Sequence, residues 1–495
     1  MVKTTTSMKT IQYMGSKRDL LGFLESSIED YISNKIKKID TFYDAFSGSG
    51  RVAYHFKDKY NIISSDKQYF TKVINDAYLN NHIKDSIIDP YIIELNNLPL
   101  SYFEETDKWF TVNYSTDWNE GVSVGSDGNP KIWMTKNAQK IDMIRTKLDD
   151  LDFLGDNKKD REIKSVLLLS LILGINKVSN VVGHQNGYLK KWCKNAQNDL
   201  VLENPNTFSI KNKEHINLVG DIYELLPQIE SDLIYFDPPY GTNNENLSVA
   251  TRYSSFYHLW NTIVKNDRPK IFGKAGKPIE TKGWTPELEQ NKKNVIIPKF
   301  KELVNKSNSP YVSFSYSNQG LLTKEDFFKL FEECGCIDIR CYEQSHKVNT
   351  QSKSAGKNVI FKIDVEGNLS QLEEGKINKS QKNISFKKNK DIISLIDTSI
   401  SIKKDVEIQK ELITVDCYED NEGNLYFEKK GLWIVRDENT NNLIEYFFIM
   451  TKPILSKKDI INLLTKNINN IEENKIIYSS DLQNIYQLLN PKQTK

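Results

Sequence analysis

Short apolar runs that stop at a polar residue recur along the first two thirds of the chain. Thr41-Phe42-Tyr43-Asp44-Ala45-Phe46, Asn61-Ile62-Ile63-Ser64-Ser65-Asp66, Ile216–Val219, Leu233–Phe236 and Tyr311–Tyr316 are each predicted as a strand. Helical spacing of apolar residues falls between them, at 20–36 and from Arg51 to about Lys59. This β-turn-α-β order is the building block of a parallel sheet, so the fold class is α/β. Cys336–Tyr342 and Asn358–Ile363 are predicted to close the sheet as an antiparallel pair.

The rhythm breaks from 85 to 210. Trp109, Trp118 and Trp133 lie in or near a polar, Gly/Asn/Asp-rich stretch, followed by a strongly helical segment, Asp160–Ile175. An insertion of this length between strands of one sheet usually forms a separate substrate-facing module. The expected organisation is a catalytic domain in two pieces, 1–84 and 211–365, around an inserted, mainly helical domain, 85–210. Residues 366–390 are rich in Lys, Asn, Ser and Glu and read as a linker. Residues 391–495 read as a small α+β module, with strands near 411–418, 424–428, 432–436 and 443–450 and helices at 456–467 and 480–489.

Charge adds a limit. Lys+Arg 67 against Asp+Glu 66 gives a net charge of +1 in 495 residues, so a nucleic-acid partner needs a local basic patch. The five cysteines form no CxxC pair and the six histidines no HExxH, which argues for reduced thiols and no metal site. Met1–Thr10 is polar, and the longest apolar stretch, Val166–Ile175, is too short to span a bilayer. The expectation is a cytoplasmic protein.

The densest chemistry is Asp237-Pro238-Pro239-Tyr240. Two prolines cannot continue a ladder, so the strand Leu233–Phe236 must end there and the chain must turn outward. Open α/β sheets bind ligands at the carboxyl ends of strands. A carboxylate, a backbone carbonyl and an aromatic ring at that place suit a planar exocyclic amine. Phe46-Ser47-Gly48-Ser49-Gly50 follows the first strand and precedes a helix, where glycines allow close approach of a ligand. Asp66 ends the next strand and suits ribose hydroxyls. No Lys-Ser/Thr follows Gly50 and a third glycine is missing, so a nucleoside cofactor without a pyrophosphate fits best.

In order, Y-M-G-S-K-R (13–18), F-S-G-S-G (46–50), Asp66, a long insertion, G-D (220–221) and D-P-P-Y (237–240) resemble the Dam-like α-group of adenine-N6 DNA methyltransferases, over residues 8–365. The resemblance implies a Rossmann-like methyltransferase sheet with an inserted target-recognition domain, and S-adenosylmethionine as cofactor. It implies that Tyr13, Lys17, Asp44, Phe46, Gly48, Gly50, Asp66, Asp221 and Asp237 bind the cofactor. Asp237 and Pro238 would accept hydrogen bonds from the target amine, with Pro239 stiffening the turn and Tyr240 stacking on the base. The implied partners are double-stranded DNA and a cognate restriction endonuclease, in a bacterial or phage-infected cell, with no membrane and no metal.

Candidate DNA contacts are Lys190 and Lys191 after the Gly183–Tyr188 loop, Arg252 and Tyr253 beyond the catalytic motif, and Lys274 in the cationic stretch 265–277. His184, Gln185 and Asn186 are candidate base readers. D-P-P-Y alone fits cytosine-N4 methylation as well, and motif order favours adenine. A DNA- and cofactor-binding regulator without turnover is the non-enzymatic alternative.

Overall fold

A computed structural model gives the structure of the protein. It describes residues 8–33, 35, 37–150, 157–185, 189–208, 213–242, 253–283, 285–347 and 442–452, together with strand segments between 359 and 437. The chain divides into two compact units, 1–342 with 446–495, and 343–445. The site lies wholly in the first.

Seven strands make the central sheet: β1 (Thr41–Asp44), β2 (Asn61–Asp66), β3 (Ile216–Val219), β4 (Leu233–Phe236), β5 (Tyr311–Ser317), β6 (Ile337–Lys347) and β7 (Asn442–Thr451). Their order is β6-β7-β5-β4-β1-β2-β3. The pairs β1–β2, β1–β4, β2–β3 and β4–β5 are all parallel, so the sheet is mostly parallel, as the sequence predicts. Every residue of β4 and β5 is buried, the signature of strands covered on both faces. From β1 the chain runs outward through β2 and β3, then returns to place β4 on the other side of β1. The crevice above β1 and β4 is therefore the topological switch point, and Asp44 and Asp237 stand there.

Helices cover the sheet. Leu21–Ile32, Arg51–Phe56 and Phe42 share one core with β7 residues Phe447 and Ile449, and Lys293–Lys306 and Lys324–Glu333 lie in another with Phe314 and Phe448. A third core joins helix Tyr69–Leu79 to the long helix Lys158–Val178 of the 85–210 segment and to Tyr257, Leu259, Trp260 and Ile263. The 85–210 segment thus shares its core with helices flanking the sheet. Among the described residues, no helix is long and apolar enough to cross a membrane.

Three expectations about the C-terminal third need correction. The strand Val359–Ile363 does not close the central sheet but pairs antiparallel with Leu369–Leu372 and Gly431–Asp437 in a separate sheet. Leu369–Leu372 lies in the stretch read as linker. The position beside β6 is taken instead by Asn442–Thr451, expected as part of the C-terminal module. The physical reason is legible in retrospect. Phe447-Phe448-Ile449-Met450 is a continuous apolar run, all 0% exposed, which only an interior strand can bury on both faces. The helices expected at 456–467 and 480–489, and the strand portion at 411–416, lie outside the described residues.

Candidate active site

The D-P-P-Y turn is held from two sides. Lys17, 5% exposed, donates from Nζ to Asp237 Oδ1 at 2.9 Å and to the Gly15 carbonyl at 3.2 Å. The Tyr240 hydroxyl donates to the same Asp237 Oδ1 at 2.7 Å, and the Lys17 ammonium stands 4.8 Å from the Tyr240 ring centroid. The resemblance implies a cofactor contact for Lys17; its partner here is the motif's own acid. Both bonds fall on Oδ1, and an ionised carboxylate has about four acceptor sites, so capacity remains for a ligand amine.

Tyr316 at the end of β5 fixes the other end of the turn, and sequence reasoning missed it. It is fully buried, its hydroxyl donates to the Tyr240 carbonyl, and it accepts from the Leu321 and Leu322 amides at 3.1 and 3.3 Å. Its ring lies 4.7 Å from that of Tyr240. A Cβ on Gly320 would lie 2.3 Å from the Tyr316 ring, so the Ser317–Gly320 turn wraps this tyrosine too closely for any side chain. Gly241, at φ +67°, is in the left-handed region, and a Cβ there would meet Asn291 and Leu321 at 2.9 Å. A Tyr at the end of an apolar strand, immediately before a Ser-Asn-Gln-Gly turn, is the available sequence signal.

The glycine loop lies across the neighbouring strand ends. Asp66 accepts the Gly48 amide at 2.9 Å and the Gln68 amide at 2.8 Å, which fixes its carboxylate at the rim. Burial outweighs these bonds and raises its pKa to about 6. Tyr13 packs directly on the loop, since a Cβ on Gly48 would lie 2.8 Å from its ring. Gly50 is left-handed at φ +75°, with Asn75 Oδ1 2.3 Å from where a Cβ would be. Asn75 in turn donates to Ser47 and Ser64, and Thr71 donates to the Gly48 carbonyl at 2.9 Å. Phe46 packs on Phe236 with centroids 6.2 Å apart.

Asp44 lies beneath this loop, 1% exposed. Its Oδ2 accepts the Ala53 amide at 3.2 Å, while Oδ1 is buried without a hydrogen-bond partner. Burial pushes its pKa up to about 7; the Ser47 hydroxyl opposes this, and the nearby Asp237 and Asp66 charges add to it. An under-compensated negative charge below a glycine loop fits a cationic ligand bound above it.

Asp221 follows the end of β3 beside Asp66, whose carbonyl accepts the Gly220 amide at 3.2 Å. It caps the helix Ile222–Leu225 by accepting the Tyr223 amide at 3.0 Å and pairs with Lys67 at 3.1 Å. Burial acts to raise its pKa, but these partners prevail and hold it below the usual carboxylate range. Tyr253, expected at DNA, lies against Tyr13, centroids 5.7 Å apart. Lys190 and Lys191 are exposed beside the Asn119–Ser123 backbone, and Lys274 is exposed in the turn between Ile271–Phe272 and Lys277–Pro278. Arg252 and Asn186 lie outside the described residues. Gln185 is buried, with its amide oxygen committed to the Leu259 amide at 2.7 Å, so it is no base reader.

Sequence comparisons name a family for the chain. A family model described as D12 class N6 adenine-specific DNA methyltransferase matches residues 13–323. The chain is 29% identical over 381 residues to modification methylase LlaI of Lactococcus lactis subsp. lactis, covering 73% of this chain and 56% of the relative. It is 29% identical over 355 residues to type II methyltransferase M.FokI of Planomicrobium okeanokoites, covering 68% and 50%. With type II methyltransferase M.NlaIII of Neisseria lactamica it shares 27% over 337 residues, covering 66% and 90%. The chain spans about half the length of the first curated relatives it matches. The family match covers well over half of the chain, from the Tyr13 segment past the Tyr316 turn, and on that ground the chain belongs to the D12 class N6 adenine-specific DNA methyltransferase family.

Proposed function

We propose that the protein methylates the N6 amine of adenine at one short sequence in duplex DNA, with S-adenosylmethionine as donor, as a Dam-like modification enzyme of a restriction–modification pair. The observation that carries the reading is the corner where Lys17, Tyr240 and Asp237 meet, next to the Gly48–Gly50 loop and over β1 and β4.

The cofactor supplies a methyl group on a sulfonium, already a strong electrophile. Gly48, Gly50, Phe46 and Tyr13 would hold its methionine end, the Asp44 charge would favour its cationic groups, and Asp66 would take its ribose hydroxyls. The chain's remaining task is the nucleophile. An adenine amine delocalises its lone pair into the ring. Hydrogen bonds to Asp237 and the Pro238 carbonyl favour a more tetrahedral nitrogen whose lone pair is available. Pro238 and Pro239 stiffen the turn, and Tyr316 holds the Tyr240 backbone, so the acceptors are placed before the base arrives. Tyr240 offers its ring to the base once it has left the stack, at an unstacking cost on the order of a few kcal/mol. Phosphate contacts offset that cost, and the exposed Lys190, Lys191 and Lys274 are suited to them.

Residues 85–210 serve as the target-recognition region, and 343–445 as an accessory unit. The test is methyl transfer to unmethylated genomic DNA by the purified protein, read by nucleoside mass spectrometry and modification-aware sequencing. N6-methyladenine in one sequence context is the expected result. N4-methylcytosine alone would replace the base assignment, and no methylated nucleoside would refute the reading.

A further inference from the structure

The segment Tyr253–Asn261 touches two parts of the molecule that the proposed reaction must use together. On one side it meets the loop that leads to Lys190 and Lys191. The Gln185 amide N–H donates to the Phe256 carbonyl at 2.8 Å, and Gln185 Oε1 accepts from the Leu259 amide at 2.7 Å. The latter is among the first amides of helix His258–Lys265, which have no acceptor within their own helix. The His184 ring stacks on Phe256 with centroids 4.0 Å apart and planes 9° apart. Fully buried Asn180 ties the base of this loop to its far end, donating to the Lys191 carbonyl at 3.2 Å and accepting from the Cys193 amide at 2.9 Å.

On the other side the same segment holds the cofactor shell. The Tyr257 ring stacks on Tyr13 at 4.5 Å with an 18° interplanar angle, and its hydroxyl accepts from the Met14 amide at 2.7 Å. Asn261 accepts from the Phe70 amide at 3.1 Å and donates to Gln68, whose own amide holds Asp66. Tyr13 rests on Gly48. One short stretch therefore fixes Gln185 with one set of atoms and Tyr13, Met14 and Gln68 with another. Gln185 is also poorly suited to a purely stabilising role, because its Nε2 is buried without a hydrogen-bond partner.

We propose that Gln185 is a positioning residue that couples the two ligands: duplex bound at the Lys190–Lys191 face is relayed through Gln185, Tyr257 and Tyr13 to the glycine loop. DNA and cofactor then bind with positive cooperativity. The proposal rests on the methyltransferase reading above. Linkage requires the effect to be reciprocal, so the cofactor must tighten DNA by the same factor that DNA tightens the cofactor.

The test is calorimetric titration of the full chain with S-adenosylhomocysteine, which cannot react, with and without sheared unmethylated genomic DNA. Wild-type affinity is expected to rise about fivefold or more when DNA is present. Gln185→Met should keep the DNA-free affinity within about twofold and reduce the DNA-induced gain to less than about twofold. Tyr257→Phe keeps the ring and removes the acceptor for Met14; it should weaken DNA-free binding and also shrink the gain, which gives a second route if Gln185→Met fails to fold. Equal wild-type affinity with and without DNA, or an undiminished gain in both variants, would overturn the coupling while leaving the methyltransferase reading intact. Absence of any cofactor binding in the wild type would overturn both.

Discussion

Two acids stand at neighbouring strand ends and are treated in opposite ways. Asp237, after β4, has its own counter-charge in Lys17 and a hydroxyl donor in Tyr240, both from the chain itself. Asp44, at the end of β1, is buried more deeply, keeps one oxygen unpartnered, and has a raised pKa of about 7. The first corner is complete before a substrate arrives, as a site that must present fixed acceptors to a weak nucleophile requires. The second is left short of positive charge, which suits a site whose ligand brings the charge with it. On the proposed reading, these two carboxylates at adjacent strand ends would do separate work, one on the amine and one on the cofactor.

The contrast can be broken most severely at Asp237. Asp237→Asn should lower single-turnover methyl transfer by about 10³-fold, the scale of losing a positioned charge at a reacting centre. Next is Lys17. Lys17→Met leaves Asp237 without its partly buried counter-charge and should destabilise the protein by about 3–5 kcal/mol in urea denaturation. The double variant Lys17→Met/Asp237→Asn should recover most of that stability and none of the activity. Equal losses in the single and double variants would contradict the pairing.

Asp44→Asn sharpens the other half. It should weaken cofactor binding by about tenfold, since one pKa unit of lost interaction is a factor of ten. It should also stabilise the cofactor-free protein at pH 8. The folded-state pKa values of Asp44 and Asp66, about 7 and about 6, lie above the ordinary carboxylate value of 3.8. Their contribution to stability is therefore fully present below about pH 4 and is lost as pH rises through about 6 to 7. Thermal melts across that window should show a smaller fall for Asp44→Asn than for the wild type. The smallest effect expected is from Tyr240→Phe, which removes one hydrogen bond to Asp237 and keeps the ring. It should reduce turnover by about tenfold or less, measured against a larger loss in Tyr240→Ala.

Much of this was legible in the sequence. β1 to β5 are short apolar runs closed by polar residues, a local signal, and their parallel pairing follows from the helices between them. The motif acids stand where strand ends put them. The failures were of long range. Nothing local to Lys17 shows that its partner is Asp237, more than two hundred residues away; the pair exists because the N-terminal segment folds over the β4 end. Nothing local to Tyr316 or Tyr257 shows their partners, the Tyr240 carbonyl and the Met14 amide, which their hydroxyls reach across the fold. Phe447–Met450 lies late in the chain, and chain order puts it with the C-terminal module, although its unbroken apolarity marks an interior position.

The division of labour is tested most directly by titrating S-adenosylmethionine into the wild type, Asp44→Asn and Asp237→Asn at pH 8 by calorimetry. The account predicts that Asp237→Asn, inactive in transfer, binds the cofactor within about threefold of wild type, whereas Asp44→Asn binds about tenfold more weakly. Undiminished binding by Asp44→Asn, with binding lost in Asp237→Asn, would contradict it.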